Sequence, residues 1–240
     1  MSGAALPAGR RALITGASRG IGAAIARALD AAGVHTMLVA RDANALAAMA
    51  QSLTHAKTFA ADLAIADAAD RVAREATNAL GGAIDILINN AGMFVVADIA
   101  TTNDAAIDGQ LALNVAAPMR LARAVLPGMI KRRAGHIITL GSVADRTVFA
   151  STAAYAATKH AVRALHEAMC ADLRRTGVRA TLMSPGPVDT PIWDPYDPDN
   201  RRGFMPRAQM LRAEDVADAV LWALTRPAHV NVDELRLMPA

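Results

Sequence analysis

The chain predicts an α/β fold, a doubly wound parallel sheet with helices on both faces. Three observations carry this. Short apolar, β-rich runs alternate with longer alanine-rich segments along the chain, as in successive βαβ units. With 240 residues that are 53% hydrophobic, the chain has the length and apolar content for one large core. The first run also leads directly into a glycine-rich turn and then a helical pattern. Parallel strands joined by helices cross over right-handedly, which makes the doubly wound arrangement the default.

Taken in order, "RALIT" (11–15) is the first strand, and a helix over 20–32 follows its glycine turn. "HTMLVA" (35–40) precedes a helix over 43–53, and "KTFAA" (57–61) one over 65–79. "DILIN" (85–89) leads to a long helix over 104–132, and "GHIITL" (135–140) to another over 152–176. "VRATLM" (178–183), a helix over 213–225 and "ELRLM" (234–238) complete the series. No repeat or low-complexity linker interrupts it. One domain over 1–240 is therefore expected, with a nucleotide-binding half over 1–140 and a catalytic helix and substrate loop over 141–212. The segment "SPGPVDTPIWDPYDPDNRRGFMP" (184–206) carries six prolines, which exclude a continuous helix. Its length suits either a lid or surface decoration.

Composition removes several function classes. Aromatics are only 3%, too few for a stacked nucleic-acid platform. The net charge of +3 comes from dispersed arginines rather than a basic block, so no nucleic-acid partner is expected. Cys170 is the only cysteine and reads as a small helical hydrophobe. The six histidines have no zinc spacing, and no metal is expected. No run approaches the ~20 apolar residues of a membrane span, and no signal-peptide pattern opens the chain; a soluble cytoplasmic protein is expected.

In "TGASRGIG" (15–22), Gly16, Gly20 and Gly22 permit a tight turn and close approach of backbone to phosphate. The helix N-terminus that follows offers free N–H groups and a partial positive charge to a pyrophosphate. At the end of the second strand, "LVAR" places Ala40 where an NAD site usually has an acid, and Arg41 follows. A guanidinium binds a 2′-phosphate that an acid would repel, and Arg19 can reach the same group. NADP(H) is thus favoured over NAD(H), with Asp42 next door as the counter-signal. Further on, "YAATK" sets Tyr155 and Lys159 one helical turn apart on one face. That spacing lets an ammonium lower the phenol pKa.

With "DL" (62–63), "NNAG" (89–92), "LNVAAP" (113–118), "GSVA" (141–144) and "SPGPVDT" (184–190) in this order, the chain resembles the short-chain dehydrogenase/reductase family over nearly its whole length. The resemblance implies a Rossmann-like fold of seven parallel strands, a nicotinamide cofactor and hydride transfer at a carbonyl carbon. It places Asn114, Ser142, Tyr155 and Lys159 on the family's catalytic tetrad. It assigns cofactor contacts to Gly16, Ser18, Arg19, Gly20, Ile21 and Gly22 in the turn, and to Arg41. Asp62 and Leu63 would lie at the adenine, and Asn89, Ala91 and Gly92 beside the adenosine ribose. Pro185, Gly186, Val188 and Thr190 would cover the nicotinamide.

The substrate is less explicit. Phe94, Val143, Val148, Phe149, Pro187, Val188 and Trp193 can line an apolar pocket. Arg146 either binds a substrate carboxylate or forms a structural salt bridge. The runs "YAATKHAVRALHEAM" and "RPAHVNVDELRLMP" resemble the family branch of NADP-dependent 3-hydroxy acid and serine dehydrogenases. The expected activity is carbonyl–alcohol interconversion on a small hydroxy acid or ketone. The alternatives are 3-oxoacyl carrier-protein reduction and a non-catalytic NADP-binding regulator. Both long helices carry small apolar residues on more than one face, more than one sheet contact requires; the resemblance implies that they pair between copies, in a homotetramer or homodimer.

Overall fold

The computed structural model describes Leu6 and residues 8–240. Seven parallel strands form one sheet in the order β3-β2-β1-β4-β5-β6-β7. These are β1 (Arg11–Thr15), β2 (His35–Ala40), β3 (Ala56–Ala60), β4 (Ile86–Asn89), β5 (Gly135–Leu140), β6 (Val178–Pro185) and β7 (Glu234–Leu237). The helices between them are α1 (Gly20–Ala31), α2 (Ala43–Gln51), α3 (Ala68–Ala79), α4 (Asp104–Gln110), α5 (Ala117–Arg132), α6 (Ala153–Asp172) and α7 (Ala213–Leu224). The chain builds outward from β1 to β3, then returns to set β4 on the other side of β1. That reversal opens a crevice beyond the carboxyl ends of β1 and β4, where ligands of such sheets bind.

Both faces of the sheet are covered, so its central strands are apolar throughout rather than alternating. In β1, Ala12 and Ile14 enter a core with Ile25 and Leu29 of α1 and Val216 and Val220 of α7. Leu13 points the other way, into a second core with Val72 of α3, Leu121 and Met129 of α5 and Met169 of α6. Register follows the same logic: Ala12 pairs with Ile86 and Ile14 with Ile88. One-residue alternation thus feeds two separate cores from one strand.

Three expectations need correction. The helix expected over 104–132 is interrupted by a π-helical turn, Leu111–Ala116, between α4 and α5. Pro118 accounts for part of this, since it lacks the N–H that an α-helix would donate to the carbonyl of Asn114. The helix expected from 65 begins at Ala68, because an Asp62-centred turn with Ile65 N–H bonded to Asp62 O at 3.2 Å comes first. The helix expected to reach 176 ends at Asp172, ahead of Arg175 at φ 64° and Gly177 at φ 83°. The proline-rich segment holds only short 3₁₀ turns, Pro191–Tyr196 being the longest. Among the described residues, no helix is long and apolar enough to cross a membrane and no cluster could hold a metal ion.

Candidate active site

The crevice holds a cleft of about 1060 Å³, and the glycine turn forms its floor at one end. Gly16 sits at φ +64°, a conformation that side chains resist. A Cβ on Gly22 would lie 2.5 Å from Asn90 Nδ2 and closer still to the Gly16 carbonyl oxygen. The turn is bound to the end of β4 from two sides. The Thr15 hydroxyl donates to Ile88 O at 3.2 Å and accepts from the N–H groups of Asn90 and Ala91, each at 3.0 Å. Asn90 Nδ2 donates to Thr15 O at 2.9 Å and to Gly16 O at 3.1 Å. Helix α1 then begins with no side-chain cap and no acid in its first turn. Its first N–H groups face the cleft without a competing anion, the electrostatic form of a phosphate seat.

The glycine-turn residues Gly16, Ser18, Arg19, Gly20 and Ile21 line the cleft, as do Arg41, Leu63, Ala91 and Gly92. Asp42, the counter-signal to a 2′-phosphate, is engaged as the N-cap of α2. Its carboxylate accepts from Asn44 N at 2.9 Å and Ala45 N at 3.0 Å. Asp62 departs from its expected place: it does not line the cleft, and its carboxylate accepts from Ala64 N at 3.0 Å. Asn89 departs as well. It is the last paired residue of β4, 6% exposed, and its side chain is interior. Asn90, one position on, is the asparagine that reaches the cleft.

At the other end, Ser142 follows β5 and opens a short 3₁₀ turn by accepting the N–H of Ala144 at 3.1 Å. Tyr155 and Lys159 project from α6 into the same cleft. Lys159 is 8% exposed, donates to Leu140 O at 2.8 Å and lies 5.7 Å from the centroid of the Tyr155 ring. The expectation that Lys159 lowers the phenol pKa is corrected here. Burial pushes the Tyr155 phenol up to about 12, against a downward pull from its bond to Ser142, and the charge of Asp145 adds to the rise. Lys159 does not offset this rise. Burial also brings the Lys159 ammonium down to about 8, with Asp145 opposing. Tyr155 is therefore a phenol that keeps its proton.

Asn114 uses both ends of its amide. Its Oδ1 accepts from Met93 N at 2.8 Å, and its Nδ2 donates to Met93 O at 2.9 Å and to Thr158 Oγ1 at 3.1 Å. Thr158 in turn donates to the carbonyl of Tyr155 at 2.7 Å. The side chain thus ties the segment after β4 to α6.

Among the expected substrate residues, Phe94, Val143, Phe149, Pro187, Val188 and Trp193 line the cleft, together with Pro185, Gly186 and Thr190. Val148 does not; it is 71% exposed and faces a shallow outer depression. Arg146 is also absent from the cleft. Its guanidinium forms a two-pronged pair with Glu234 at the start of β7, which decides for the structural salt bridge. Reading the sequence missed Tyr196 and Phe204. Phe204 lines the cleft, and the Tyr196 hydroxyl donates to Phe94 O at 2.9 Å while accepting from Val96 N at 3.2 Å. The only available signal was that three of the chain's few aromatics fall within 184–206. Arg207 closes that segment with bonds of 2.7 Å to both Asp189 and Asp194, and its N–H donates to Asp199 at 2.8 Å.

An uncapped helix and glycine turn at the switch point of a parallel sheet define a nucleotide-binding α/β protein. The family model for short chain dehydrogenases matches residues 10–201, and the chain belongs to that family of oxidoreductases. An uncharacterized oxidoreductase of Staphylococcus epidermidis is 38% identical over 229 residues, 95% of this chain and 96% of the relative. A metagenomic short-chain oxidoreductase solved in complex with NADP superposes with TM-score 0.82 at 33% identity, over 97% of this chain and 98% of that one. Serine dehydrogenase from Escherichia coli superposes with TM-score 0.82 at 30% identity, over 94% of this chain and 95% of that one.

Proposed function

We propose that the protein is an NADP(H)-dependent oxidoreductase that interconverts a carbonyl and a secondary alcohol by hydride transfer. The observation that carries this reading is the placement of Tyr155 and Ser142 together in the cleft that the glycine turn floors. The cofactor fits the residues present. The N–H groups of α1 are uncapped, Gly22 lets the turn close on the Gly16 carbonyl and Asn90, and Arg19 and Arg41 are exposed at the cleft. When bound, NADPH supplies the hydride.

In reduction, charge gathers on the carbonyl oxygen, and Tyr155 donates its proton there. Ser142 gives that oxygen a second hydrogen bond and fixes its position. Lys159 holds the nicotinamide ribose, and the Asn114 carbonyl holds water that resupplies the proton. In oxidation the phenol must first give its proton to that water, and the tyrosinate then takes the proton of the alcohol hydroxyl. The test is cofactor consumption on a panel of ketones and secondary alcohols. NADPH is expected to be used at a kcat/KM at least tenfold above NADH, the order of one guanidinium–phosphate contact. Equal use of the two would overturn the cofactor assignment.

The same reading includes association as a homotetramer in the cytoplasm. Leu111 at the π-helical turn and Met119 on α5 are exposed apolar residues, on the elements expected to pair between copies. Light scattering is expected to report four chains at micromolar concentration, and a monomer would sink this part.

A further inference from the structure

Accepting the proposed reaction, we infer that the substrate is a neutral ketone bearing an aromatic ring, or the corresponding secondary alcohol. The chain has eight aromatic residues in all. Five of them, Phe94, Phe149, Tyr155, Trp193 and Phe204, line the cleft, and Tyr196 stands behind them. The core is built from aliphatic and alanine side chains instead. A composition this poor in rings has spent most of them on one wall.

The geometry of that wall is specific. Phe94 meets Tyr155 edge to face, with centroids 4.7 Å apart, and meets Trp193 and Tyr196 in the same way at 5.3 and 5.4 Å. Phe204 continues the wall at 5.9 Å from Trp193 and stacks on Tyr196 at 6.3 Å. The rings therefore extend outward from the phenol that donates the proton. Rings at these distances favour another ring in offset or edge-to-face contact over an aliphatic chain.

The wall also offers little polarity. The Trp193 indole N–H donates to Val188 O at 3.0 Å, and the Tyr196 hydroxyl is occupied by Phe94 O and Val96 N. Both polar handles are turned to backbone, leaving π surface toward the cleft. The Tyr196 bonds also hold the 191–196 turn against the segment after β4, so the wall is formed in advance. At the mouth, Phe149 remains half exposed, an apolar ring open to an entering ligand.

Charge argues in the same direction. A hydroxy acid would need a cation beside Tyr155. Arg146 is held by Glu234, and Lys159 is assigned to the nicotinamide ribose. Arg201 and Arg202 line the cleft, but both are exposed side chains of the loop, and the Arg201 guanidinium is engaged on the Phe204 ring, 5.0 Å over its centroid.

The experiment compares acetophenone with acetoacetate under NADPH, alongside calorimetric binding of acetophenone to the full chain. We expect kcat/KM for acetophenone to exceed that for acetoacetate by at least tenfold. Phe204→Ala is expected to lower the acetophenone value by about tenfold more than the value for acetone, which cannot reach that ring. A preference for acetoacetate, or equal losses on acetophenone and acetone in Phe204→Ala, overturns the aromatic assignment and leaves the reaction class standing. Saturable acetophenone binding without turnover of any ketone supports the aromatic assignment and overturns the reaction class instead.

Discussion

Tyr155→Phe should retain NADPH binding and lose about a thousandfold in kcat, the scale expected for removing a positioned general acid. The ring would stay in place, since its contacts with Phe94 involve carbon edges rather than the hydroxyl. What is lost is the one proton that burial holds on the oxygen up to about pH 12. The pH profile of the native protein follows from the same values. Tyr155 remains protonated throughout the working range, so it cannot set an alkaline limb in reduction. Lys159 can: its ammonium is charged below about pH 8 and neutral above. Its hold on the ribose therefore weakens as pH rises through that value. kcat/KM for NADPH should fall along a single limb near pH 8, measured by stopped-flow or initial rates. A limb above pH 10 would assign it to the phenol and contradict this account.

Gly22→Ala should weaken cofactor affinity strongly while leaving the sheet intact. The added methyl would press on the Gly16 carbonyl and on Asn90 Nδ2, both part of the network that fixes the turn. Neither neighbour can move freely, because one is backbone and the other is bound to Thr15 as well. Overpacking of this kind displaces backbone at a cost of about 1–3 kcal/mol, which in binding amounts to roughly ten- to a hundredfold. Fluorescence titration with NADPH checks the loss, and thermal melting separates it from unfolding. Native-like affinity in the variant would mean that the turn is not the phosphate seat.

The central strands were legible in the sequence because both faces of the sheet are covered, which makes each a largely apolar run, while β3 and β7 at the edges were read from their place in the strand–helix alternation. The glycine turn and the Ser142–Tyr155–Lys159 group were legible for a related reason: each lies within a short contiguous motif. What was lost depends on distance along the chain. Arg146 could be read either way because Glu234, which decides the matter, is 88 residues further on. Tyr196 and Phe204 belong to a loop with no hydrophobic period, and their partner Phe94 is about a hundred residues away. Asn89 was one position off, yet the end of the apolar run at 89 marks 90 as the first residue free of the strand. The sign of the Tyr155 shift depends on how deeply the phenol is buried, which spacing alone does not encode.

The π-helical turn at 111–116 gives the chain a phase constraint. Each residue of an α-helix advances the side-chain direction by about 100°. A π turn carries a surplus residue within one turn, so α4 and α5 are out of step with the single helix that the sequence pattern suggested. Asn114 faces Met93 and Thr158 because of that surplus. Substitutions around it change one side chain at a time. A one-residue deletion would instead rotate one helix against the other, turning Asn114 away from α6 or Leu121 and Met129 out of the core. Length, in this stretch, carries information in its own right: the spacing between two faces is written in residue count rather than in residue type.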